Sequence, residues 1–217
     1  MIRRTIAVLL AAFSLAHGQS SEGIKVRFLA ERAPKELGQV LMSDGETRSP
    51  AFDLPHNHLS EPMDAPARRF ELRAVKPDVA LATVTLPENG KSFIALMIPA
   101  PKGGYVPVVL RADDPGFRPG DVYFYNHAGK TVLGYVGTAK FVLAPSKGQV
   151  LRPTGARAEN FYDVGFGVRE KEGDRALSTT RWPVDNRSRS YVFFFDNPVT
   201  KRVDFRAVDE FVPPATP

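Results

Sequence analysis

Cysteine is absent from all 217 residues. That absence excludes a disulfide framework, thiolate metal centres, a cysteine nucleophile and the lipid-modified cysteine that tethers bacterial lipoproteins. A blue-copper centre goes with them, because its equatorial thiolate has no source. Long apolar runs are missing too. The stretch that begins at Ile6 ends at Ala16, well short of the roughly 20 residues a membrane-spanning helix needs. No long segment carries a helical period, although residues 30–41 have room for one short helical turn. Charge of one sign is also scarce, with 29 lysines and arginines against 24 acids. Arg181, Arg187 and Arg189 form the nearest thing to a basic cluster, but Asp185 interrupts it. It reads as a solvated turn rather than a phosphate-tracking surface, and nucleic acid is not an expected partner.

What the chain does contain is an address. Arg3 and Arg4 precede the apolar run, and Ala16-His17-Gly18 supplies a small-residue cleavage pattern. This is the signature of an export signal removed after Gly18, with Gln19 opening the mature chain. The twin arginines serve as the ordinary positive end, since Thr5-Ile6-Ala7 does not extend them into a twin-arginine motif. Cleavage removes two arginines and no acid, so 27 basic residues face 24 acidic ones and the net charge is +3 rather than +5. The expected destination is the periplasm or the extracellular space, with no transmembrane segment left after cleavage.

The rest reads as strands. Apolar and polar residues alternate in Ile24-Lys25-Val26-Arg27-Phe28 and Phe70-Glu71-Leu72-Arg73-Ala74, the period of a strand with one buried face. Residues 79–86, 92–98 and 105–110 are more continuously apolar, as central strands are. Pro107 removes a backbone donor and predicts an edge strand or bulge in the last of these. Further strands are predicted at 121–126, 130–136, 140–143, 149–152, 160–168, 176–182, 190–196 and 202–208, separated by turns bearing Gly, Pro, Asn and Asp. His127-Ala128-Gly129 and Pro145-Ser146-Lys147-Gly148 read as hairpin loops, and residues 54–67, with three prolines, as a surface loop. The expected fold is all-β: an antiparallel two-sheet β-sandwich, Ig-like or of related topology, with little or no helix. The expected layout is a signal at 1–18, a short segment at 19–23, one domain at 24–212 and a Pro-rich tail at 213–217. Residues 113–120 are a possible subdivision, and no internal repeat is visible.

Candidate chemistry is sparse. His56-Asn57-His58 places two imidazoles on one side of an extended segment, with Met63 nearby as a soft ligand and His127 on a separate hairpin. Together they form the candidate copper or zinc site. The competing reading is a Pro-rich loop that simply carries polar residues. Ser146, in Ala144-Pro145-Ser146-Lys147-Gly148, falls short of a hydrolase elbow, and no histidine follows it. Asp113-Asp114 and Glu170 with Glu172 are the acid pairs a glycosidase reading would use, but surface turns are rich in such residues and account for them. No residue is assigned a catalytic role.

Aromatic residues are in surplus. Tyr123, Phe124 and Tyr125 are consecutive, as are Phe193, Phe194 and Phe195. A strand in a two-layer sandwich buries one face, so some of these rings must meet solvent, an added element or another chain. Tyr123, Tyr125 and Phe194 are the candidate partner-binding residues. The lone Trp182 reads first as a packing anchor, with a ligand platform as the alternative.

The run Phe117-Arg118-Pro119-Gly120-Asp121-Val122-Tyr123-Phe124-Tyr125-Asn126, followed by Phe141-Val142-Leu143-Ala144-Pro145, resembles a pattern in exported bacterial β-sandwich proteins of unknown function. Residues 191–196 and 202–209 are similar in style. The resemblance covers the second half, rests on strand and turn residues, and implies fold and export without implying a reaction. The expected function is a non-enzymatic, exported module that binds a protein or glycan partner in the cell envelope, with no cofactor. The alternative is a periplasmic copper or zinc protein using His56 and His58.

Overall fold

The computed structural model describes residues 23–213. The export signal, all but the last residue of the 19–23 segment and all but the first residue of the Pro-rich tail lie outside them. Among the described residues there are sixteen strands, one 3-10 turn at Lys35–Leu37, and no helix long and apolar enough to cross a membrane.

The first eight strands are β1 (Lys25–Ala30), β2 (Gln39–Ser43), β3 (Phe52–Asp53), β4 (Met63–Asp64), β5 (Arg69–Ala74), β6 (Val79–Thr85), β7 (Ser92–Pro99) and β8 (Tyr105–Arg111). The second eight are β9 (Val122–Asn126), β10 (Val132–Val136), β11 (Ala139–Leu143), β12 (Lys147–Leu151), β13 (Phe161–Glu170), β14 (Gly173–Pro183), β15 (Ser188–Asp196) and β16 (Val203–Phe211). They form four sheets, ordered β4-β1-β7-β8, β3-β2-β5-β6, β12-β9-β15-β16 and β11-β10-β13-β14. The chain is all-β, and the expected two-sheet sandwich occurs twice rather than once.

Alternation along the strands decides how the layers stack. Phe93, Ala95 and Met97 of β7 enter a core with Val40, Met42, Phe70 and Leu72 of the β2 sheet. Their neighbours Ile94, Leu96 and Ile98 point the other way, onto Tyr123, Tyr125, Tyr191 and Phe193. On β15, Val192 and Phe194 pack with Val132, Phe141, Val164 and Phe166 in a third core. The two central sheets are therefore buried on both faces, which is why β7, β9 and β15 read as continuous apolar runs, whereas the apolar run at 79–86 is β6, a largely exposed edge strand rather than a central one. Each also contains a parallel pair, β1 with β7 and β9 with β15, in the doubly covered setting that parallel strands favour. Segment 113–120 joins the two sandwiches.

The two halves share one topology. Adding eight to each strand number of the first two sheets reproduces the order of the other two. The resemblance extends to detail, for the register shifts at Leu72/Arg73 between β5 and β6 and at Phe166/Gly167 between β13 and β14. Just past the parallel ladders the Glu31 amide donates to Met97 O and the His127 amide to Phe194 O, at 3.0 and 2.8 Å, so Glu31 and His127 occupy the same place in their halves. Their side chains meet, Nδ1 of His127 lying 2.5 Å from Oε2 of Glu31. Equivalent sheets face each other and an equivalent pair touches, as in a two-fold dimer.

Several sequence expectations change in three dimensions. β8, with Pro107, is the edge strand its proline predicts. The 127–129 and 145–148 turns are not hairpins: β9 and β10, and likewise β11 and β12, lie in different sheets, so both turns cross between layers. Segment 54–67 is more than a surface loop. It runs along the edge of β1 through bonds from Ala30 N to Pro55 O and from Ser60 N to Phe28 O, and it buries Leu54, Leu59 and Ala65.

A candidate ligand cleft in the second sandwich

The aromatic residues expected to meet a partner are buried. Tyr123 and Tyr125 are 8% and 9% exposed and lie in the contact between sandwiches, while Phe194 is fully enclosed in the second core. The added element that covers the outer face of this sheet is the first sandwich, so the surplus rings are used within the chain. Burial pushes the Tyr123 phenol up to about 12, and drives Tyr191 further in the same direction with Glu210 adding to it.

The candidate metal ligands are not gathered into one sphere. His56 and His58 sit on an exposed bend rather than an extended segment, and His58 Nδ1 is 2.7 Å from Asn57 Oδ1. Met63 pairs with Val26, near the start of β1, and packs against the first core. His127 lies beyond the other end of β1 with Glu31, about five residues or ~16 Å along the strand. The link between His56 and this corner is Arg206, whose guanidinium donates to the carbonyls of His56 and Glu31. Among the described residues no three His, Cys, Asp or Glu side chains are grouped to hold a metal ion.

The acid pairs have structural duties. Asp113 caps the Lys91 amide at 2.9 Å and Asp114 the Gly116 amide at 2.7 Å. Glu170 lies 3.0 Å from Lys130 and 3.2 Å from Arg175, hydrogen bonds that hold its carboxyl below the usual range.

A different site is open. A cavity of about 190 Å³ lies at the end of the second sandwich, with Tyr162, Trp182, Pro183, Ser190, Ala207 and Asp209 among its walls. The size exceeds the roughly 150 Å³ that suffices for a benzene ring. Tyr162 and Trp182 are cross-strand partners on β13 and β14, and the indole is held edge-on against Phe166 at 5.7 Å between centroids. Opposite them, Ser190 pairs with Asp209 and Val192 with Ala207.

The first sandwich explains why there is a hollow. Counting back equally from Met97 and Phe194 along the matched ladders brings Phe93 to the place of Ser190. By the same registers Val109 stands where Ala207 does and Arg111 where Asp209 does. From the matched bulges, Leu86, whose amide bonds Arg68 O, corresponds to Trp182 and Arg68 to Tyr162. In the first copy Phe93 is fully buried, Leu86 is 3% exposed and Val109 packs beside them. Serine for phenylalanine and alanine for valine empty that space in the second copy, and tryptophan for leucine lines the wall.

Polar groups converge on the rim. Asp121, 2% exposed, accepts from Arg118 N at 2.8 Å and Arg152 Nε at 2.7 Å. Asp185 accepts from Arg187 N and Ser188 Oγ, both at 2.8 Å, and the Arg187 amide leads in holding its carboxyl below the ordinary value. Asp209 accepts from Ser190 Oγ at 2.6 Å. A second hollow of about 200 Å³, between Leu110, Phe117, Tyr123 and Val150, is more open. The sequence alone does not outline this cleft, because its walls come from distant strands. The signals available are the lone Trp182 and the polar Ser190 at the start of the apolar run 191–195.

Fold and cleft together define a tandem β-sandwich protein with one aromatic, carboxylate-rimmed cleft in its second half. No family model matches the chain, and no curated protein matches it.

Proposed function

We propose that the chain is an exported, non-enzymatic binding module that holds a glycan in the Trp182 cleft. The observation that carries this reading is the hollowing itself: a position packed shut by Phe93, Leu86 and Val109 in one copy is open in the other and walled by the sole tryptophan. A sugar ring offers a flat C–H face to an indole and hydroxyl groups to carboxylates, amides and serines, and the rim supplies all three through Asp185, Asn186 and Ser188. Binding is favoured over hydrolysis because a glycosidase needs a protonated carboxyl to act as acid, whereas Asp121 is ion-paired with Arg152 and Asp185 accepts from the Arg187 amide and the Ser188 hydroxyl, partners that favour the charged form.

Trp182 makes the test direct, since its fluorescence reports one site. Titration with soluble oligosaccharides of glucose, N-acetylglucosamine and glucosamine is expected to give a saturable change for at least one. Trp182→Ala, followed by calorimetry, and Ser190→Phe, which refills the space as Phe93 does, are each expected to weaken binding at least about tenfold while thermal unfolding stays cooperative. Silence from every sugar, by fluorescence and by calorimetry, overturns the proposal.

A further inference from the structure

The charge on the rim selects among glycans. Three carboxylates line the cleft, those of Asp121, Asp185 and Asp209, and no lysine or arginine does. Two of the three are already answered. Asp121 is ion-paired with Arg152 at 2.7 Å, and Asp185 is held by the Arg187 amide and Ser188 hydroxyl, with the Arg187 guanidinium 3.8 Å away. Asp209 is different. Its hydrogen-bond partner is the neutral hydroxyl of Ser190, and no cation stands within ion-pair distance of it among the described residues.

The first copy again serves as the internal comparison. Arg111 occupies the position equivalent to Asp209, where it pairs with Asp113 at 3.1 Å. The second copy thus reverses the sign at this point of the strand as well as removing bulk. An unanswered carboxylate in a hollow that also presents an indole face is suited to a cation, because ring quadrupole and carboxylate attract the same charge. An acidic sugar would meet three negative groups instead.

We infer that the cleft selects a saccharide bearing a free ammonium group, a de-N-acetylated amino sugar. Asp209 receives the ammonium and Trp182 stacks on the ring. This inference rests on the glycan reading above, and the test separates the two. Trimers of glucosamine, N-acetylglucosamine and glucose are titrated in turn by calorimetry and Trp182 fluorescence at low salt and about pH 6, where an amine is protonated.

The glucosamine trimer is expected to bind at least about tenfold more tightly than either neutral trimer, and added salt is expected to erode that preference. Asp209→Asn is expected to abolish the preference for the glucosamine trimer over the two neutral ones. Asp209→Arg, which restores the charge of the first copy, is expected to exclude the glucosamine trimer. Equal binding of all three trimers, or a preference that survives Asp209→Asn and is insensitive to salt, overturns the ammonium inference and leaves the glycan reading standing. Failure of every trimer to bind overturns both.

Discussion

Removal of Glu210 should loosen the junction between the sandwiches more than any surface change. Its carboxylate is 7% exposed and takes Arg27 Nη1 at 2.8 Å from the first sandwich, with Arg189 Nη2 at 2.8 Å and the Tyr191 hydroxyl at 2.6 Å from its own. Alanine at this position leaves Arg189, itself 7% exposed, with the carbonyls of Ala112 and Phe117 and the face of the Phe117 ring. Arg27 keeps Ser60 O at 2.7 Å and reaches solvent. The dominant loss is therefore one buried, uncompensated guanidinium, about 3–5 kcal/mol. For a chain of this size that lowers the melting temperature by roughly 6–20 °C. Urea unfolding followed by Trp182 fluorescence and by circular dichroism measures it, the first probe reporting the second sandwich and the second reporting both. Adding Arg189→Met and Tyr191→Phe removes the stranded partners and should recover most of the loss. A Glu210→Ala cost below about 1 kcal/mol would refute the reasoning, since the network would then be dispensable.

Alkaline pH should act through the buried tyrosines. A phenol whose folded pKa lies above its ordinary value near 10 keeps its proton while the unfolded chain loses it. Stability is thus at its full value below about pH 10 and falls as pH rises toward the Tyr123 value of about 12. Melting temperatures across pH 9 to 12 are expected to decline more shallowly in Tyr123→Phe, and an identical decline in both proteins would count against the burial argument. Export is checked by expressing the full chain in a bacterium: mass spectrometry of the secreted or periplasmic product should find a chain beginning at Gln19, and retention of Met1 in the cytoplasm would remove the export reading. The Trp182 and Ser190 variants test the cleft, and the Asp209 variants its charge preference.

Strand positions were legible because they depend on local alternation. The period-two pattern at 70–74 became β5, and the continuous apolar run at 92–98 became β7. The two-residue edge strands β3 and β4 were not legible, since they carry too few residues to show a period, and β2 was missed because its consecutive apolar residues Val40-Leu41-Met42 do not alternate. The turns after β9 and β11 looked like hairpins because turn chemistry is the same whether the next strand stays in the sheet or crosses to its mate.

Composition and local pattern by themselves determined that this chain folds as strands without disulfides, and that the strands holding 123–125 and 193–195 carry aromatic rings on both faces. Only the tertiary structure decided what covers those faces. Phe193 and Phe194 are neighbours in sequence, and nothing local to them says that one enters the second core while the other meets the first sandwich. The cleft is a property of the same kind. Ser190 is an ordinary residue in an ordinary strand until the matched ladders set it beside Phe93, because a cavity is defined by the volume that distant residues leave unfilled.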